Sequence, residues 1–145
     1  MGANDELLTT SCFRCANEFL EGMQLIERTQ SDPVEKIKEL ISLQIRIALH
    51  DESSLTVFND EWRHLQEPFL SSFLELRRQY ETAYLRIIRE GIEKGRLQNS
   101  DPYLMYQLIL SSLRWLHMPT VKKTKLNEQQ LTEQISSILI NGIVL

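Results

Sequence analysis

The stretch EPFLSSFLELRRQYETAYLRIIREGIEKGRLQNSDP, residues 67–102, decides how the rest of the chain is read. Phe73, Tyr80, Tyr84, Ile87 and Gly91 recur at the helical period, with Leu70, Leu74 and Ile88 beside them. Such a row predicts one long amphipathic helix from Pro68 to Lys94. Gly95 stands where a helix ends in the left-handed conformation, which glycine enters without a Cβ penalty. Asp101 and Pro102 then supply an N-cap and a first helical residue, so the chain stops and restarts within a few positions.

Working outward, the same devices recur. Leu8, Cys12, Cys15, Phe19, Met23 and Ile26 form a stripe at spacings of three and four, predicting a helix from about Asn4 to Thr29. Asp32-Pro33 opens a second helix, with Glu35 in the position of a capping-box acid. It runs to about His50, and Ile37, Ile41, Ile45 and Ala48, widened by Leu40, Leu43 and Ile47, make it apolar around most of its circumference. A helix of that kind belongs in the middle of a bundle.

Asp51–Ser54 is a polar turn before a short third helix with Phe58, Trp62 and Leu65 on one face. The fifth helix runs from Asp101-Pro102 to about His117, and Met118–Lys125 reads as a loop. Asn127 caps the last helix, with Gln130 completing a capping box and Leu126 stapled to Leu131. Only five glycines and four prolines in 145 residues leave little room for the turns of a β fold. The chain is expected to be all-α, a single bundle domain of about six helices over residues 1–145.

A net charge of −4 argues against a nucleic-acid surface. The longest nearly apolar run, Tyr103 to Leu110, is far short of the roughly 20 residues a membrane span needs. With no signal-peptide pattern and only two cysteines, a cytoplasmic chain is expected.

Cys12-Phe-Arg-Cys15 has the form C-x-x-C, but zinc needs further ligands and none is spaced to help. Both cysteines lie on the apolar stripe, where cysteine packs as a small hydrophobe. His50, His64 and His117 are scattered and read as helix-end or surface residues. Glu61 and His64 make the one E-x-x-H, where a carboxylate-bridged metal site in a bundle would carry two. No nucleophile elbow or phosphate loop is present, so neither a catalytic residue nor a cofactor is expected. The aromatic set Phe58, Trp62, Phe69, Phe73, Tyr80, Tyr84 and Trp115 comes from three helices. It reads either as core or as the wall of a mainly apolar cavity with a few polar anchors.

The segments F-N-D-E-W-R-H-L (58–65), R-R-Q-Y (77–80), I-I-R-E-G-I-E-K-G-R-L (87–97), D-P-Y-L (101–104) and L-R-W-L (113–116) come in a particular order. That ordered set resembles the C-terminal regulatory domain of TetR-type transcriptional regulators, with a flavour of the fatty-acid and acyl-CoA responsive branch. The resemblance runs from Asp5 to Ile143. Family members begin with a helix-turn-helix domain of about fifty residues, which these residues do not supply. Direct nucleic-acid contact is therefore expected of a parent protein and not of this chain.

The resemblance implies a repressor's effector-sensing and dimerisation domain. A small hydrophobic or acyl-type effector would bind among the first five helices and move the first. Phe19, Met23, Trp62, Tyr80, Tyr84 and Trp115 are the expected walls, with Arg77 and Arg114 as polar anchors. The implied homodimer joins the last two helices of each copy, through Met105, Ile109 and Leu116 on one and Leu131, Ile135, Ile138 and Gly142 on the other. The alternative is a helical module that docks another protein and holds no small ligand.

Overall fold

A computed structural model describes residues 3–145. The described residues form six α-helices: α1 (Ala3–Thr29), α2 (Pro33–His50), α3 (Glu52–Thr56), α4 (Phe69–Glu93), α5 (Pro102–Leu113) and α6 (Glu128–Ile143). The all-α bundle expected from periodicity is what the chain forms.

The predicted caps set the boundaries. Asp32 accepts the Glu35 N–H at 3.1 Å to start α2, and Asp101 accepts the Leu104 N–H at 2.9 Å to start α5. The Glu35 carboxylate does not complete a box; it takes Lys38 Nζ at 3.1 Å instead. At α6 the box closes in both directions. Asn127 accepts the Gln130 N–H at 2.8 Å, and the Asn127 N–H donates to Gln130 Oε1 at 3.0 Å. At the end of α4 the N–H groups of Gly95 and Arg96 donate to the carbonyls of Ile92 and Gly91, at 3.1 and 2.8 Å. This paired closure needs the left-handed turn that Gly95 supplies with φ of 70°.

α2 is the central element, packed against α1, α3, α4 and α6. Ile37, Leu40, Ile41, Ile45 and Ala48 are wholly buried, so the helix that is apolar nearly all round is the one that is covered nearly all round. On α1 the predicted stripe from Cys12 to Ile26 is buried and Leu8 is half-buried. On α4, Phe73, Tyr80, Tyr84, Ile87, Ile88 and Gly91 face inward, but Leu74 is exposed.

Three segments depart from the sequence reading. The short third helix is not one regular helix: α3 widens into a π-helical turn at Val57–Glu61 and tightens to a 3-10 turn at Trp62–His64. The change of winding lets Phe58 and Trp62 both reach the ring of Phe73, at 5.4 and 6.4 Å between centroids. The fifth helix keeps α-helical bonds only to Leu113 and continues as a 3-10 turn, Arg114–His117. Met118–Lys125 is largely a 3-10 helix, Pro119–Thr124, rather than an open loop, and Lys125 ends it with φ of 59°.

Candidate functional site

The rings that the sequence scattered over the helices meet in a continuous series. Phe19 of α1 touches Phe58 and Tyr80, both at 5.5 Å between centroids. Tyr80 meets Tyr84 at 5.8 Å, and Tyr84 meets Tyr106 of α5 at 5.2 Å. The contacts are mostly edge-to-face, which the aromatic quadrupole favours.

Beside this series lies a cavity lined by Ala16 and Phe19 from α1, Gln44 from α2, and Leu55, Phe58 and Asn59 from α3 and the turn after it. Leu76, Arg77 and Tyr80 of α4, Tyr106 and Leu110 of α5, and Arg114 complete the lining. The interior is small, about 70 Å³. Counting the open mouth, atom-free space reaches about 620 Å³, open solvent included.

Arg77 is the chemically distinctive group. It is half-buried and sits over three rings, 5.1 Å from Trp62, 5.4 Å from Phe58 and 5.7 Å from Phe73. Among the described residues no carboxylate forms an ion pair with it and no group accepts a hydrogen bond from it. Its neighbour Arg78, which points outward, pairs with Glu75 at 2.7 Å. Burial lowers the pKa of Arg77; Tyr106 opposes that shift and the nearby Arg114 charge adds to it. A half-buried guanidinium held over aromatic faces, with no carboxylate paired to it, is suited to take an anion.

The phenols point the same way. Among the described residues the hydroxyls of Tyr80 and Tyr84 are buried and lack a hydrogen-bond partner. Burial pushes both pKa values up, as it does for Tyr106, so all three remain neutral donors.

Of the expected wall and anchor residues, Phe19, Tyr80, Arg77 and Arg114 line the cavity. Tyr84 is fully buried behind them, and Trp62 stacks on Phe73 with Arg77 over its face. Met23 lies instead against a shallower groove of about 270 Å³ between α1 and α4. Trp115 donates its indole N–H to the Ser112 carbonyl at 2.8 Å and does not line the cavity. The sequence reading missed the polar lining residues Gln44, Asn59 and Tyr106. Gln44 carried a signal, a polar residue set among the buried positions of α2. Tyr106 had none, because it neighbours a row assigned to the dimer.

The expected dimer residues divide. Met105, Ile109, Leu116 and Leu131 are buried in the chain's own core, at 0–4% exposure, so they have no surface to offer a second copy. The sequence pattern could not choose between rows because α5 is apolar on several sides. Outward on α5 are Tyr103, Leu104 and Leu108. On α6, Ile138 and Gly142 are exposed and Ile135 is half-buried.

Cys12 and Cys15 are buried, free thiols, and burial raises their pKa values to about 11 and about 12. They pack as core residues. His50 meets Glu128 at 2.5 Å, whereas His117, at a helix end as expected, is buried and stands 3.9 Å from Asp60. Among the described residues no group of three or more metal-ligating side chains assembles. No described helix is long and apolar enough to cross a membrane.

Solved structures share this architecture. The ketosteroid transcriptional regulator KstR2 of Mycobacterium tuberculosis superposes with a TM-score of 0.82 at 21% identity, over 97% of this chain and 72% of that one. A TetR/AcrR-family regulator from Thermobifida fusca gives 0.81 at 23% identity, over 94% and 73%. The regulator FadR from Bacillus subtilis, solved with stearoyl-CoA, gives 0.72 at 20% identity, over 96% and 76%. At these identities the likeness establishes the fold. No curated protein sequence matches the chain. Residues 30–143 match the family described as Tetracyclin repressor-like, C-terminal domain, and the chain therefore belongs to that family, the regulatory domains of TetR-type transcriptional regulators and not a family of enzymes.

Proposed function

We propose that this chain senses a small, largely apolar effector in the cavity beneath Phe19, and that it pairs with a second copy through the outward faces of α5 and α6. The carrying observation is that one cavity touches all of the first five helices, α1 included. An occupant too large for the enclosed space must part those walls, and Phe19 ties the motion to α1. In a full-length repressor α1 would pass that motion to the DNA-binding heads. The relative solved with stearoyl-CoA supports an acyl-type effector.

The mechanism is a population shift. The effector releases DNA only if it favours the head spacing that cannot bind, and an occupant with equal affinity for both arrangements changes nothing. Phe19 and Tyr80 form the wall, backed by Trp62 and Tyr84. Met23 and Trp115 support helix packing from outside the cavity.

Native mass spectrometry of the purified chain tests this reading directly. A mass of twice 17.0 kDa with a small molecule retained is the expected result. A bare monomer that gains no thermal stability from any apolar ligand sinks it. The small interior favours one second reading, a docking module with no small ligand. That reading expects stability to rise with a protein partner only.

A further inference from the structure

If the cavity is an effector site, as proposed above, its chemistry narrows what enters. We infer that the effector is a free carboxylate on an apolar tail, with its acid group against Arg77 and its tail along Leu55, Phe58, Leu76 and Leu110.

Three independent observations converge. First, Arg77 lines the cavity half-buried and without an ion pair among the described residues. Of the other cations on α4 and the turn after it, Arg78, Arg86, Lys94 and Arg96 each reach a carboxylate within 3.6 Å, and Arg89, which reaches none, is exposed to water. Cation–π contacts hold the Arg77 guanidinium in place over Phe58, Trp62 and Phe73. They leave its N–H groups without acceptors. Glu81 is the acid whose field reaches Arg77, and it forms no ion pair with it.

Second, Arg114 lines the same cavity and its charge is felt at Arg77. Two like charges at one small opening are relieved by an anion and worsened by a neutral occupant that expels water. Third, Tyr80 lines the cavity with a buried hydroxyl that has no partner among the described residues. A carboxylate accepts from both a guanidinium and a phenol; a hydrocarbon answers neither.

The enclosed space is small, about 70 Å³, room for several waters at about 10–15 Å³ each on that measure. A thioester carbonyl is uncharged, so an acyl-CoA whose chain enters first leaves Arg77 unneutralised. The tail needs further room, and the wall that can yield is the irregular segment carrying Phe58 and Asn59.

The test is calorimetric titration of the 145-residue chain with decanoate, decanol, methyl decanoate and decanoyl-CoA. Decanoate is expected to bind roughly 10- to 100-fold more tightly than the alcohol or the ester, the range of a charge-assisted hydrogen bond. Arg77→Gln should bring decanoate to the level of decanol measured on the same variant, abolishing the acid preference. Arg78→Gln, which removes a cation already paired, should change neither.

Equal binding of acid and alcohol by the wild-type chain overturns the inference without any variant. So does tighter binding of the CoA thioester, or an acid preference that survives Arg77→Gln. If none of the four ligands binds, the sensor reading falls along with it; if the neutral ligands bind as well as the acid, only the acid specificity falls.

Discussion

Arg96 grips Asp32 at two points, Nε to Oδ1 and Nη2 to Oδ2, each at 2.9 Å and across 64 positions of sequence. The same carboxylate caps α2 by accepting the Glu35 N–H. One side chain therefore starts α2 and holds the turn that ends α4 beside it. The turn also meets the C-terminal segment, where the Gln98 N–H donates to the Ile143 carbonyl at 2.9 Å and Leu97 bridges to Val144.

A pH dependence follows from that pair. The Arg96 hydrogen bond holds the Asp32 carboxyl below the usual carboxylate range, against the opposing effect of burial. Because the folded pKa is depressed, the stabilisation is complete above the unfolded value of about 3.9. It is lost as pH falls through the folded one. Thermal unfolding between pH 7 and pH 2.5 should show a decline below about pH 4 that is shallower in Asp32→Asn. Asp32→Ala should cost about 1 kcal/mol at neutral pH, chiefly through the lost cap.

Gly91 is predicted to resist replacement. A Cβ there would stand 2.6 Å from Leu97 Cδ1 and 2.8 Å from its Cγ, and Leu97 is itself buried. Gly91→Val must displace a packed leucine from the junction with the C-terminal segment. A loss of about 2 kcal/mol, the usual range for overpacking, is expected in urea denaturation. An unchanged midpoint would mean that Leu97 has another place to go.

The helices and their boundaries were legible because local chemistry sets them. Asp32, Asp101 and Asn127 each cap the helix the sequence assigned to them. The long row on α4 turned inward as its period required. The winding of residues 57–64 was not legible, since it answers to the ring of Phe73 in a different helix. The cavity was half legible for the same reason. Phe19 and Tyr80 stand on apolar rows, Arg77 in the R-R-Q-Y segment, and Gln44 is a polar residue among buried ones, while Asn59 and Tyr106 reach the cavity only through tertiary packing. The choice of outward row on α5 was lost because Met105 and Leu108 look alike to any periodic reading.

Tyr84 carries a prediction of the opposite sign. Its side chain is fully buried and its hydroxyl has no partner among the described residues. A buried donor without an acceptor has lost its water without replacement. Tyr84→Phe removes that group and keeps the ring contacts to Tyr80 and Tyr106. The ligand-free chain should become more stable by up to about 1 kcal/mol, read as a higher urea midpoint with an unchanged slope. A marked loss instead would show that the phenol is bonded in solution.

The dimer prediction turns on which row of α5 faces outward. Leu104 and Leu108 are 54% and 62% exposed and Ile138 on α6 is 72% exposed, a costly surface for a lone chain. Covering them with a second copy removes that apolar area from water, at about 25 cal/mol per Å². Leu108→Glu and Ile138→Glu put a charge on that face without touching the core, so each should yield a folded monomer by light scattering and circular dichroism. Met105→Glu, at a position 4% exposed, should instead unfold the chain, because a carboxylate there is buried without a partner. Monomeric wild-type protein at micromolar concentration would remove α5 and α6 as an interface. Dimers persisting in both exposed-face variants would place the contact elsewhere on the bundle.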